Sequence, residues 1–487
     1  GSVVGGGISN QALIGAKFSV IGGGCYNHAT GCLSVIGGGC GNTTYQTYST
    51  VSGGKGNHSY FAYATIGGGR GNQSLCLATS VSGGCANTAS HCYAAVVGGK
   101  ANTASGYLSF IGAGLSNCAS ACLSTVGGGR QNSASGSWST IGGGILNVAS
   151  GNWATASGGN TNTASGGRST ISGGNTNTAS GCLSTISGGL ANTTTGIWSA
   201  IGGGNANTAC GPISVIGGGC SNIASGCLST IAGGTSNCVT GVWSTVSGGC
   251  FNTAAGYVSV IGGGNNNSVS LIASTVAGGR LNTATNNFAT IGGGFTNIAC
   301  GYASTVGGGC LNITSGACST VAGGRQNCAI GANSSVGGGY VNRACGACTT
   351  IAGGKLNQAL AACSTVAGGA YNVAIALAVG STVSGGWANT TKQQFSTVAG
   401  GQANRAEGLF SSVSGGCANV ASGFGSAING GQYNIASDTM GTIGGGASQV
   451  ASGQSTTIGG GSGNIASGLQ ATIGGGGNNV ASNTNST

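Results

Sequence analysis

Acidic residues are almost missing from this chain. Glu407 and Asp438 are the only carboxylate side chains in 487 residues. Two carboxylates leave acid–base catalysis, carboxylate metal sites and calcium-binding repeats without the groups they need. Histidine is scarce too, at three residues. The abundant Ser and Thr therefore have no His/Asp pair to activate them, and the chain reads as no enzyme, with no cofactor. Proline occurs once, at Pro212, and charged residues make up 3% of the chain. No run of about 18 apolar residues is present, so nothing in the sequence spans a membrane as a helix.

What fills the chain is glycine, 109 residues of it. A flexible linker has such a composition. A linker, however, has no reason to place Ile or Val at every fifteenth position, and this chain does. The stretch from Ile171 to Ile186, ISGGNTNTASGCLSTI, is the unit. It runs Ile/Val, a small residue, Gly-Gly, two variable residues, Asn, a variable residue, Ala-Ser-Gly, two variable residues and Ser-Thr. We call the Ile/Val the anchor and number positions forward from it. Anchors step by 15 from Ile21 to Val366 and again from Val383 to Ile473; with Val4 there are 32. Only Ala156 departs from Ile/Val. Gly at plus three is invariant along the chain, and Asn at plus six fails only at Gln449. Such a period identifies a repeat architecture before any other feature is read.

A 15-residue unit broken twice by Gly is too short for a helical hairpin. It suits one turn of a β-solenoid. Restricted residues alternate in each half, which is the periodicity of a strand with one side facing in. The anchor, plus six, plus eight and plus 13 are expected inside; plus one, plus seven, plus nine and plus 14 outside. The Gly pair should turn the chain, with a left-handed backbone at plus three. Buried Asn in register should form a ladder to the next coil's Asn and to turn backbone. The expectation is an all-β fold: a parallel β-solenoid of 15 residues per coil and 32 coils, continuous over residues 1–487. At about 4.8 Å per coil it forms a rod about 150 Å long. Two 17-residue repeats should bulge near residues 13–17 and 375–380.

The tandem xxNxASG and xxSTIxG halves resemble the xxNxVxG repeats of ryegrass-type plant antifreeze proteins and the xxSxAxG repeats in heads of trimeric autotransporter adhesins. The resemblance implies a thin left-handed β-roll, with ice binding or adhesion as possible roles. The chain departs from both families in an extra Gly per coil and in its 22 cysteines.

Outward columns are the candidate sites. Plus 14 is a Thr rank that includes Thr125, Thr140, Thr155, Thr170, Thr185, Thr230 and Thr245. On a flat β-roll such a rank is a candidate ice-binding face, though Thr also simply suits an exposed strand. Plus 12 collects large apolar residues, among them Leu123, Trp138, Trp153, Leu183, Trp198, Leu228 and Trp243. A line of exposed apolar residues marks an assembly stripe unless it folds over the edge of the coil. Plus four collects Lys55, Arg70, Lys100, Arg130, Arg280, Arg325 and Lys355, seven of the twelve basic residues. That edge suits an anionic surface or polysaccharide, or serves solubility. Nucleic acid is disfavoured, because no aromatic platform is expected to interleave with it.

Cysteines cluster at plus four and plus 11, in outward or turn positions. Cys25/Cys40 and Cys348/Cys363 share a column in adjacent coils, at a spacing that admits disulfides. Cys25, His28, Cys32 and Cys40 fall on different sides of the coil and do not make a zinc site. Most N-glycosylation sequons use ladder asparagines; Asn266 and Asn333 lie off the ladder. The function expected from these columns is structural. It is a solenoid that associates with copies of itself in a fibre, sheath, virion or cell-surface appendage, outside the cell. Ice binding through the Thr rank and a trimeric adhesin head are the alternatives.

Overall fold

A computed structural model describes residues 1–487. The chain is all-β, without a helix, and winds as a β-solenoid of 32 turns with about 15 residues per coil. It divides into two units, residues 1–243 and residues 244–487. Each unit has 16 coils, and each coil contributes two strands of two residues.

Within the first unit the coil from Ile171 shows the plan. Strand Thr170–Ile171 pairs in parallel with Thr185–Ile186 of the next coil. Strand Thr163–Ala164 pairs likewise with Thr178–Ala179. These two stacks are the two faces expected from the alternation. A third, narrower ladder runs along plus four, where Asn160, Asn175 and Leu190 are joined by single parallel bridges. The second unit repeats the plan, as in Thr290–Ile291 against Thr305–Val306.

The interior matches the expected inward set. Ile171, Asn177, Ala179 and Ser184 are all fully buried. Four coils replace the plus-eight Ala by Thr, and each buried hydroxyl pairs with the preceding coil's Ser. The pairs are Thr44–Ser34 at 3.0 Å, Thr194–Ser184 at 2.9 Å, Thr314–Ser304 at 3.0 Å and Thr391–Ser381 at 2.9 Å. At these four positions the added hydroxyl enters the core with a partner already present, whereas the buried hydroxyls of Ser139, Ser169, Ser214, Ser229 and Ser334 have none. The 17-residue repeats keep register, Val4 on Ile21 and Val366 on Val383. Their extra residues turn outward at Ile14 and Leu377, while Ala16 and Ala378 stay buried.

The Gly at plus three has positive φ, as expected: +91° at Gly189. A Cβ there would lie 2.2 Å from the Gly204 carbonyl oxygen. The backbone also enters the left-handed region at plus five and plus 12, which the sequence reading did not foresee. Ala191 has φ 56° and Trp198 has φ 56°. The reason lies in the hydrogen bonds. Thr193 and Leu190 donate forward, to Asn207 and Gly204 of the next coil. Ala191 and Trp198 donate backward, to Asn175 and Cys182 of the preceding coil. A single left-handed residue reverses the amide and changes the direction of the chain, which is how each of these corners is made.

Candidate functional surfaces

The apolar stripe sits on one of these corners. Every plus-12 residue named above donates its backbone N–H to the preceding coil: Trp138 to Cys122 at 2.9 Å, Trp153 to Ser137 at 2.8 Å and Trp243 to Cys227 at 2.9 Å. The left-handed turn points the side chain out and along the edge. Trp138, Trp153, Trp198 and Trp243 remain 52%, 52%, 57% and 53% exposed, Leu228 is exposed, and Leu123 and Leu183 are half-buried. Neighbours in the column stack on one another. The Trp138 and Trp153 rings are 6.5 Å apart at 19°, and Arg168, itself at plus 12, lies 5.2 Å over Trp153. The same column stacks Tyr48 on Tyr63 at 5.1 Å and, in the second unit, Phe395 on Phe410 at 5.3 Å.

The Thr rank lies in register. Thr125, Thr140, Thr155, Thr170 and Thr185 follow each other as direct parallel partners. In the first unit Thr230 holds plus 14 next to Val215, and in the second unit Thr245 pairs with Val260. Thr140 is exposed and the others named here are half-buried, beside the small residues at plus one.

The basic edge follows the plus-four ladder, and all seven of its cations are exposed. One expectation is corrected here. In the second unit aromatic rings do interleave with the cations. Arg280 lies 5.8 Å over Phe295, Arg325 lies 5.8 Å over Tyr340, and Lys355 lies 5.9 Å over Tyr371. Phe295 and Tyr340 occupy plus four themselves, so consecutive coils bring ring and cation together. In the first unit the edge carries no ring from Lys55 to Gln131.

The cysteines also depart from expectation. Cys25, Cys40, Cys348 and Cys363 are free thiols, and the disulfide joins Cys76 to Cys92, with Cα atoms 4.9 Å apart. Side chains in register on parallel strands point the same way, so their Cβ atoms stay about one coil spacing apart, beyond the usual disulfide range. Plus ten of one coil and plus 11 of the next face each other diagonally and close the gap. The Cys40 thiol, hydrogen-bonded to Cys25, raises the Cys25 pKa, with burial adding to it. Burial raises Cys328 and Cys345 as well.

An aromatic group on the plus-seven and plus-nine face escaped the sequence reading. Tyr45 and Tyr60 stack at 4.6 Å, and His58 lies 6.0 Å from the Tyr60 ring. Burial lowers the His58 pKa, and burial and then Tyr45 raise that of Tyr60. The fifteen-residue spacing of the two tyrosines was the available signal. Ladder sequons such as Asn42 and Asn192 are fully buried, whereas Asn266 and Asn333 lie at left-handed corners.

Comparison with known protein families finds no match to this chain, and no curated protein is significantly similar to it.

Proposed function

We propose that this chain is a structural β-solenoid that associates with copies of itself along the plus-12 stripe, as part of a fibre, sheath, virion or cell-surface appendage. One observation carries the reading. Large side chains occupy a left-handed corner that Gly would occupy without penalty, and stay half exposed there. Trp138 has φ 63° and Leu183 has φ 58°, where the same column elsewhere uses Gly380 and Gly425. A left-handed non-Gly residue costs about 1–2 kcal/mol. Ring stacking along the column offsets about 0.5–1.5 kcal/mol per pair. The remaining exposed apolar surface has no role inside the coil, and burial against another chain gives it one. The Cys76–Cys92 disulfide supports a place outside the reducing cytosol. The xxNxASG resemblance to adhesin heads points the same way, with a trimer as one form of association.

A second reading, ice binding, rests on the in-register rank Thr140, Thr155, Thr170 and Thr185. Sedimentation of the purified chain over a concentration series, beside observation of ice crystal growth, separates the two. Association that grows with concentration supports the stripe. A monomer that arrests ice growth, and loses that on Thr140→Tyr or Thr170→Tyr, overturns it in favour of the Thr rank.

A further inference from the structure

The first unit concentrates positive charge in one place and supplies nothing to neutralise it. Lys55, Arg70, Lys100 and Arg130 fall within six successive coils of the plus-four ladder, joined through Cys85 and Leu115 by parallel bridges. All four side chains are exposed. Lys55 and Arg70 are direct partners, one coil apart. Like charges directly opposite each other on adjacent strands are destabilising. Residues 1–243 contain no Asp or Glu to relieve them. The second unit shows the contrast: where Lys392 and Arg405 come together on adjacent coils, Glu407 bonds both, at 2.6 Å from the Lys392 Nζ. Charge placed for solubility alone would be dispersed over the outward columns, at lower cost than a single row.

We infer that this row binds a linear anionic polysaccharide, whose sulfate or carboxylate groups lie along Lys55, Arg70, Lys100 and Arg130. The row is one residue wide, so it suits a single extended polymer. Its neighbours at plus five are Gly56, Gly71, Ala86, Ala101 and Ser116, which leave a smooth bed beside the charges as far as Arg130, where Gln131 follows. Single-stranded nucleic acid draws much of its affinity from bases stacked on aromatic rings. Between Lys55 and Gln131 neither plus four nor plus five offers a ring. The proposal is independent of self-association through the plus-12 stripe.

The test uses the full chain with four immobilised probes: heparin, hyaluronate, a thymidine oligonucleotide and neutral dextran. The charge variant combines Lys55→Gln, Arg70→Gln, Lys100→Gln and Arg130→Gln. The control combines Lys17→Gln, Arg168→Gln and Arg343→Gln, cations outside the row. Heparin or hyaluronate should bind, dextran should not, and the two anionic glycans tell sulfate from carboxylate recognition. The row variant should bind at least about tenfold more weakly, with a shallower dependence on salt, because fewer counterions are released. The control should stay within about twofold of the native chain by the same electrostatic argument. Lys55→Gln with Arg70→Gln alone should show part of the loss, and guards against misfolding of the fourfold variant. Trp153→Asp should leave heparin binding unchanged, which keeps this test separate from assembly. The proposal is overturned by equal losses in control and row variants, by tighter binding of the oligonucleotide than of either glycan, or by no binding to any anionic probe.

Discussion

The backbone N–H of Asn207 donates to Oδ1 of Asn192 at 3.0 Å. The relation recurs coil after coil, so that the side chain of each Asn caps the main chain of the next. The Asn192 Nδ2 completes the set, donating to the Gly188 carbonyl of its own coil and to the Gly204 carbonyl of the next, both at 3.0 Å. One buried amide thus holds the Gly turn of its own coil, the Gly turn of the next, and the next ladder position.

Replacing that amide should be costly where replacing its neighbour is not. Asn192→Leu leaves the Asn207 N–H and the Gly188 carbonyl without this partner, at about 1–3 kcal/mol for each buried group. Thr193→Leu changes an outward position and should stay within about 0.5 kcal/mol of the native chain. Thermal unfolding followed by circular dichroism ranks the two. Equal midpoints would count against the Asn ladder as a source of stability.

The one exception in the ladder should be improvable. Gln449 still receives and passes on the chain of bonds, from its N–H to Asn434 Oδ1 and from Asn464 N–H to its Oε1. Its buried Nε2 has no partner. At Asn434 the corresponding Nδ2 bonds the Gly430 and Gly446 carbonyls, at 2.9 and 3.0 Å. Gln449→Asn should restore both bonds and stabilise the coil by about 1 kcal/mol. Hydrogen exchange of the amides from 444 to 464 reads the effect locally, and faster exchange in the variant contradicts it.

The two adjacent turn glycines should differ sharply. Gly189→Ala adds a Cβ at φ +91°, 2.2 Å from the Gly204 oxygen and 2.6 Å from the Asn192 Nδ2. Gly188→Ala meets nothing within 4 Å. The first should cost about 3 kcal/mol or more, combining backbone strain with a broken Asn contact, and the second less than about 1 kcal/mol. Matched thermal midpoints for the pair would show that the plus-three position is not held by close approach.

Assembly and folding should separate at Trp153. The side chain is half exposed and stacks on Trp138, so Trp153→Asp removes apolar surface from the stripe without opening the core. The variant should keep its β-sheet circular dichroism and sediment as a monomer at concentrations where the native chain associates. In the native chain, quenching of tryptophan fluorescence by acrylamide should fall as association proceeds. Unchanged association in the variant removes the stripe from consideration.

The period of 15, the Ile/Val anchor and the Asn at plus six were enough to read the coil, its inward set and its ladder directly from the residues. Those features are legible because each is a local demand repeated in every coil: an apolar residue for the interior, an amide for the turn, a Gly where a Cβ would strike the next coil. The outward columns were legible as lists of residues and not as surfaces. That Trp138 and Trp198 sit at left-handed corners follows from the reversal of their amides toward the preceding coil, and side-chain identity carries no trace of it, since Ala, Ser, Leu and Trp all occupy such corners. Cys76 pairs with Cys92 across columns, against the simpler register of Cys25 with Cys40, because disulfide closure depends on the direction of Cβ and not on spacing along the stack. The cations of Arg280 and Arg325 meet Phe295 and Tyr340 for a related reason: residues fifteen apart in sequence become neighbours only once the coils are stacked. Sequence determines what each coil must bury, because burial is a property of one repeat. Tertiary structure decides what the surface presents, because the stacked rings, the ring–cation pairs and the disulfide each join two coils.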